Sequence, residues 1–472
     1  MMRNNLFQNT FIYTIGNLLS KIIGFLMLPV YTNYLTTSQF GRFDLLVTAV
    51  TLMLPIVTLQ ISDAAYRFLV DEEDDREKEK VITNAFYGLL INVVVGFLVV
   101  MLILMFTYQI TYTRSEFILF FLLAFSNLLF VFLQQVIRGL KSNKEFAMSG
   151  IINALLLALL NILFLVFLDL EYIGLLLANI LAYFLAVAYI FIKINIFKYI
   201  KLKLFNAGMY RILILYSIPL IPNLISWWAI NFSDRMLISY YLGVDQNGIY
   251  AIANRFSTIL FFMTTVFNLA WQESAILSFK DRDKDNYYTE IFGKYLRFLF
   301  STILILISGI GIAVPLILNE SYQEAQFIIP FLFYGVVFSA FSSFYGTAFQ
   351  SSKNTKEAVI SSLASGIINI GLNIVLLPKM GVIAAGISTL IAFLCMWLVR
   401  VYQTKKYFNI NINMRDFLSL TIINILFVSM FFGFQSLYIK LLLFVLSIAI
   451  FAAFNRDMVS KILTKLGSLK RR

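Results

Sequence analysis

Two cations, Lys21 and Arg255, stand inside otherwise apolar stretches of this sequence. A Lys or Arg at the centre of a membrane-spanning helix costs ~2.5 to 3.5 kcal/mol on insertion scales, so each is a candidate functional residue. The chain has no histidine and one cysteine, Cys395. Clusters of His and Cys around a metal, proton transfer through imidazole and an intrachain disulfide are thereby excluded. We expect no cofactor, no metal and no catalytic residue. What is left is the chemistry of fixed positive charge, which offsets the desolvation of an anion.

Lys21 lies ~17 Å from the inner end of its apolar stretch at 1.5 Å per residue. At 100° per residue Thr14, Asn17, Lys21 and Gly24 share a narrow arc, a face suited to a wet cavity. Snorkelling, or a structural pair with a carboxylate, is the alternative. Arg255 lies ~10 Å inside the outer end of its stretch, with Ala251 and Thr258 on its face, and snorkelling outward is easier there. Asp44, at the outer start of the second stretch, is either a coupling or cavity group or a complement to the helix dipole. Asn17, Asn223, Asn254 and Asn268 are amides that line a hydrated cavity or hydrogen-bond between helices. Glu273 reads as a solvated helix end, with ion coupling as the alternative.

The elements that carry these residues are membrane spans. The chain is 60% hydrophobic and 13% charged over 472 residues, against about 25% charged for a soluble globular chain. Apolar windows predict fourteen spans: 10–31, 43–62, 81–106, 116–137, 146–168, 172–192, 212–232, 248–269, 298–318, 327–350, 358–377, 382–399, 416–434 and 441–454. An even number puts both termini on one side. With the termini inside, the outer loops hold Arg42, Arg114, Arg235, Lys379 and Lys440, and Lys21 and Arg255 lie within the membrane. Every other base of the 37 is on the inner side, so both termini are expected to be cytoplasmic. The net charge of +12 therefore lines a membrane face, and nucleic acid is not an expected partner.

The first apolar segment is long, carries Lys21 and lacks a small-residue cleavage motif, so it is expected to remain as a span. The run Asp71 to Lys80 reads as a mixed-charge cytoplasmic loop. In the tail, Val459, Ile462, Leu463, Leu466 and Leu469 form one helical stripe with Lys461, Lys465, Lys470 and Arg471 elsewhere. That pattern suits an interfacial helix on anionic lipid or a solvated basic tail.

The halves repeat. Tyr34-Leu35, Gly41 and Phe43 match Tyr241-Leu242, Gly248 and Tyr250, and Lys144-Glu145, Asn161-Ile162 and Gly174 match Lys356-Glu357, Asn373-Ile374 and Gly386. Two six-helix lobes of parallel topology follow, with a substrate site expected between them. The expected divisions are 1–205 for the N-terminal lobe, 206–410 for the C-terminal lobe and 411–472 for the last two helices and basic tail. The fold class is all-α and integral to the membrane.

The segment Ser20 to Leu45, SKIIGFLMLPVYTNYLTTSQFGRFDL, resembles the N-terminal signature of bacterial polysaccharide-transporter flippases, notably at Pro29, Tyr34-Leu35 and Phe40-Gly41. These belong to the multidrug/oligosaccharidyl-lipid/polysaccharide exporter superfamily. DRMLISYYLGVDQNGIY, Asp234 to Tyr250, is similar to the matching central segment. The resemblance implies a multi-pass protein of the bacterial cytoplasmic membrane that flips a polyprenyl-diphosphate-linked oligosaccharide outward for surface polysaccharide synthesis. Membrane lipids, and the glycosyltransferases or polymerase of the same pathway, are the implied partners. In related peptidoglycan-precursor flippases, cations on helices 1 and 8 and an Asp on helix 2 face the central cavity; Lys21, Arg255 and Asp44 are similar in placement. Lys stands at position 21 where that branch usually has Arg, so a point charge replaces a bidentate clamp. A peptidoglycan-precursor flippase, a drug/cation antiporter and a membrane glycosyltransferase or polymerase are the alternatives. The last is disfavoured by short outer loops, the longest read as running from Ser233 to Asn247, and no P-loop pattern is present.

Overall fold

The computed structural model describes residues 23–106, 114–352, 356–434 and 436–469, with the backbone alone for 103–106, 222–231, 462–463 and 465–469. These residues form an all-α protein without strands. Twelve of the described helices are long and apolar enough to cross a membrane. The other two of the fourteen expected spans are the first, described only from residue 23, and the seventh, which is interrupted.

The chain divides into two compact units, Met1–Gly248 and Ile249–Arg472. In the first unit α1 (Leu28–Tyr34) leads into α2 (Thr37–Thr58). Thr36 starts α2 with a capping box: its hydroxyl accepts from the Gln39 N–H at 3.2 Å, and the Gln39 side chain accepts from the Thr36 N–H at 3.0 Å. There follow α3 (Ile61–Val70), α4 (Asp75–Phe106), α5 (Arg114–Gly139), α6 (Asn143–Ile162, prolonged by a π turn), α7 (Glu171–Ile194), α8 (Ala207–Ser217) and α9 (Ile221–Leu242). A 3₁₀ turn around Pro219 separates α8 from α9, which is why the seventh span is broken.

Charged residues had marked the ends of several spans, and the helices run past them. The second span continues beyond a break at Leu59 and Gln60, both left-handed, to Val70. The broken turn is bridged by Asn92 of α4, which donates to the Thr58 carbonyl at 3.1 Å and accepts from the Tyr210 hydroxyl at 2.5 Å. Asp63, just past the break, accepts from Gln135 at 2.8 Å. The outer loop expected from Ser233 to Asn247 is instead helix: α9 reaches Leu242, and Gly243 alone precedes α10 (Val244–Ser278). Gly243 has φ +94°, a conformation that glycine adopts without the penalty of a Cβ.

The repeat-matched glycines meet within the first unit. A Cβ on Gly41 would stand 2.1 Å from the Val244 carbonyl oxygen, and one on Gly248 would stand 1.9 Å from that of Thr37. The start of α2 and the start of α10 thus pack backbone on backbone. The Asn247 amide seals the contact by donating to the Gly41 carbonyl at 3.0 Å.

The second unit holds the rest of α10 with α11 (Lys284–Ile317), α12 (Ala325–Ser351), α13 (Lys356–Met380), α14 (Ile383–Thr404), α15 (Met414–Gly433), α16 (Leu437–Phe454) and α17 (Arg456–Leu469). Its core is aromatic: Phe292 lies 5.2 Å from Phe341 and from Phe344, and Trp397 lies 5.5 Å from Phe341, between ring centroids. Such pairs fix α11, α12 and α14 beyond what area burial alone supplies. The tail does form a helix, α17. Of the apolar stripe expected there, Val459 has a described side chain and is half-buried.

Candidate ion-pair and cation site

Asp44 is the eighth residue of α2, two turns into a helix that begins at Thr37. The dipole of a helix acts within its first turn, so complementing the dipole does not account for the carboxylate. Its partner is Arg235 of α9, whose Nε donates to Asp44 Oδ2 at 2.6 Å. The two side chains are 8% and 12% exposed. A charge-assisted bond of this length ties the second and seventh spans together, because a buried charge is costly once its countercharge is removed. Arg235 had been placed in an outer loop; its charge is cancelled at short range, which an apolar window does not register. Asp234 beside it is also buried, at 2%.

A second pair in the same unit joins Arg42 to Glu116 of α5 at 3.3 Å, and the Tyr172 hydroxyl donates to the same carboxylate oxygen at 2.7 Å. Glu116 is 1% exposed whereas Arg42 is 41% exposed, so the solvated arginine and the phenol together compensate a buried carboxylate.

Arg255 is half-buried on α10. Because the helix begins at Val244, Arg255 lies ~16 Å along it from its start, against ~10 Å from the start of the expected span. Among the described residues Arg255 makes no ion pair, whereas Asp44 and Arg235 satisfy each other. Asn254 next to it accepts from Ser257 at 3.0 Å through its Oδ1, and its backbone carbonyl accepts from Thr258 at 3.0 Å. The buried Asn268 Oδ1, on the same helix, has no hydrogen-bond partner among the described residues. Glu273 is exposed. Lys21 and Asn17 lie outside the described residues, and so does the side chain of Asn223.

Two buried cations escaped sequence reasoning because they sit at the ends of apolar windows. Arg400 of α14, 4% exposed, donates to the Ser342 carbonyl at 2.8 Å and to the Ser361 and Ser362 hydroxyls at 3.0 Å. Paired serines at 342–343 and 361–362 were the available signal. Lys440, read as an outer-loop base, is 4% exposed on α16; its Nζ lies 3.5 Å from Gln326 Oε1 and 5.7 Å from the Phe431 ring centroid. On α13 and α14, Asn369 donates to Thr389 at 3.4 Å and Asn373 to Asn369 at 3.3 Å, a buried polar stack.

Residues 6–272 match the family model described as polysaccharide biosynthesis protein. No curated protein matches. Among solved structures, the chain is similar to the lipid II flippase MurJ in an inward closed conformation, with TM-score 0.68 and 17% identity, over 95% of this chain and 99% of that one. It is also similar to a Vibrio cholerae MATE transporter, with TM-score 0.55 and 14% identity, over 85% of this chain and 97% of that one. A transporter of the MOP superfamily from Pyrococcus furiosus aligns with TM-score 0.50 and 14% identity, over 84% of this chain and 93% of that one.

Proposed function

Because the chain belongs to the polysaccharide biosynthesis protein family, we propose that it is a flippase. It moves a polyprenyl-diphosphate-linked oligosaccharide from the cytoplasmic to the outer leaflet, by alternating access of two lobes around a cationic cavity. The observation that carries this reading is Arg255, a cation eleven residues into the 35-residue helix α10 that makes no ion pair among the described residues. A diphosphate crossing a low-dielectric route supplies the missing countercharge, and Lys21 and Arg255 offset its desolvation. With an inside-negative potential, each negative charge moved outward gains ~2.3 kcal/mol per 100 mV, so export proceeds without ATP. Asn17 and Asn254 contribute amides to the sugar route, and Asp44 holds the second span in place through Arg235. The protein resides in the bacterial cytoplasmic membrane with both termini inside, beside the glycosyltransferases or polymerase that make and use its cargo.

In cells, Lys21→Ala and Arg255→Ala should each lower surface glycan about tenfold at matched expression, the equivalent of ~1.4 kcal/mol of lost interaction. Undiminished glycan in both variants would remove the charge role.

The likeness to the lipid II flippase MurJ favours a second reading, a peptidoglycan-precursor flippase. Rescue of a strain depleted of its own precursor flippase would promote it. An organic-cation antiporter fits poorly with basic groups at the centre. A glycosyltransferase or polymerase, which needs substantial outer loops, is disfavoured further, because even the longest of the short outer loops read from the sequence, Ser233 to Asn247, is helix apart from Gly243.

A further inference from the structure

A cavity of about 600 Å³ lies in the second unit where α10, α11 and α16 meet the tail helix α17. Its floor is apolar, with Phe267 stacked on Tyr295 at 3.8 Å between centroids and with Phe298 and Phe454 beside them. Lys294, Arg297 and Lys461 stand along its wall together with one carboxylate, Asp457. Lys294 is engaged by Glu290, and one guanidinium nitrogen of Arg297 bonds Asp416 at 3.0 Å, its one ion pair among the described residues. Lys461 is exposed and makes no ion pair among the described residues.

Depth decides what such a cavity meets. α11 has 34 residues, ~51 Å, about 20 Å more than a hydrocarbon core. Its Lys284 end follows the charged stretch Lys280 to Asp283, so this is the end that projects. Lys294 and Arg297 then fall ~15 to 20 Å along the helix, where it enters the core on the basic side. The corner between α16 and α17 is pinned there by Asn455, which donates to Ser301 at 2.9 Å. An apolar floor at core depth under a basic wall at headgroup depth is the layout that an anionic phospholipid complements.

The geometry points to a binding site for one anionic phospholipid, its phosphate held by Lys294, Arg297 and Lys461 and its acyl chains laid on Phe267, Phe298 and Phe454. The lipid fastens the tail helix to the inner ends of α10 and α11. The site is separate from Arg255 and independent of what the protein carries.

The full-length protein in mild detergent, titrated with dioleoylphosphatidylglycerol or dioleoylphosphatidylcholine and examined by native mass spectrometry, tests this. The wild type should retain one phosphatidylglycerol at least about tenfold more tightly than phosphatidylcholine. The Lys294→Gln/Lys461→Gln double variant should lose that preference, while Lys405→Gln, an exposed lysine outside the cavity, should keep it. Lysine 294 is half-exposed, so the double variant is expected to fold, and its monodisperse elution checks that. An unchanged preference in the double variant, or equal retention of the two lipids by the wild type, would overturn the site. Displacement of phosphatidylglycerol by millimolar inorganic phosphate would also overturn it, by assigning the cations to free phosphate.

Discussion

Replacing Asp44 by asparagine should destabilise the protein by about 3 kcal/mol or more, because it removes the countercharge that the buried Arg235 faces. Arg235 is 12% exposed and its Nε is committed to Asp44. Arg235→Gln should cost a similar amount by stranding the carboxylate. The double variant Asp44→Asn/Arg235→Gln removes both charges, so it should be more stable than the sum of the single losses implies. A coupling of about 1.5 kcal/mol in a double-mutant cycle, measured by thermal unfolding in one detergent, is the expected result. If the two effects simply add, the pair does not clamp the second span to the seventh. The swapped arrangement, Asp44→Arg with Arg235→Asp, should recover part of the loss.

Alanine at Gly41 should be at least as damaging. Its methyl would need to sit 2.1 Å from the Val244 carbonyl oxygen, and that neighbour is backbone, which cannot swing aside as a flexible side chain would. Overpacking of this kind costs up to about 3 kcal/mol and occasionally more. Gly248→Ala, facing the Thr37 carbonyl at 1.9 Å, should behave alike. Alanine at Gly371, where an added Cβ meets nothing within 4 Å, is the matched control and should leave the unfolding temperature nearly unchanged. Equal stability of Gly41→Ala and Gly371→Ala would mean that the helix starts are not in backbone contact.

The glycine contact was half legible in the sequence. Gly41 and Gly248 could be aligned as equivalent landmarks of a repeat, but alignment says that two positions are alike and not that they touch. Span number was legible because some twenty apolar residues are required for each crossing. Span ends were not, and the errors share one cause. Hydropathy charges a full penalty for Asp63, Arg235, Arg400 and Lys440, whereas the fold gives Asp63 an amide, Arg235 a carboxylate, Arg400 two hydroxyls and a carbonyl, and Lys440 an amide oxygen and a ring face. Apart from the Phe431 ring, each such partner is at least 38 residues away in sequence and invisible to a window. Arg255 shows the converse: it was found by standing in an apolar run, and no ion pair among the described residues absorbs its charge. The start of α10 at Val244 had been read as loop, so the helix that carries Arg255 is longer than its apolar window.

Transport by fixed positive charge is tested most directly in proteoliposomes holding a fluorescent polyprenyl-diphosphate oligosaccharide, with leaflet exchange followed by an impermeant quencher. The wild type should exchange the lipid rapidly, and an inside-negative potential should favour outward movement. Lys21→Arg should keep most of that rate, and the Lys21→Ala/Arg255→Ala double variant should fall at least about a hundredfold if the two single losses of about tenfold combine. Exchange by the double variant at the wild-type rate would contradict the account.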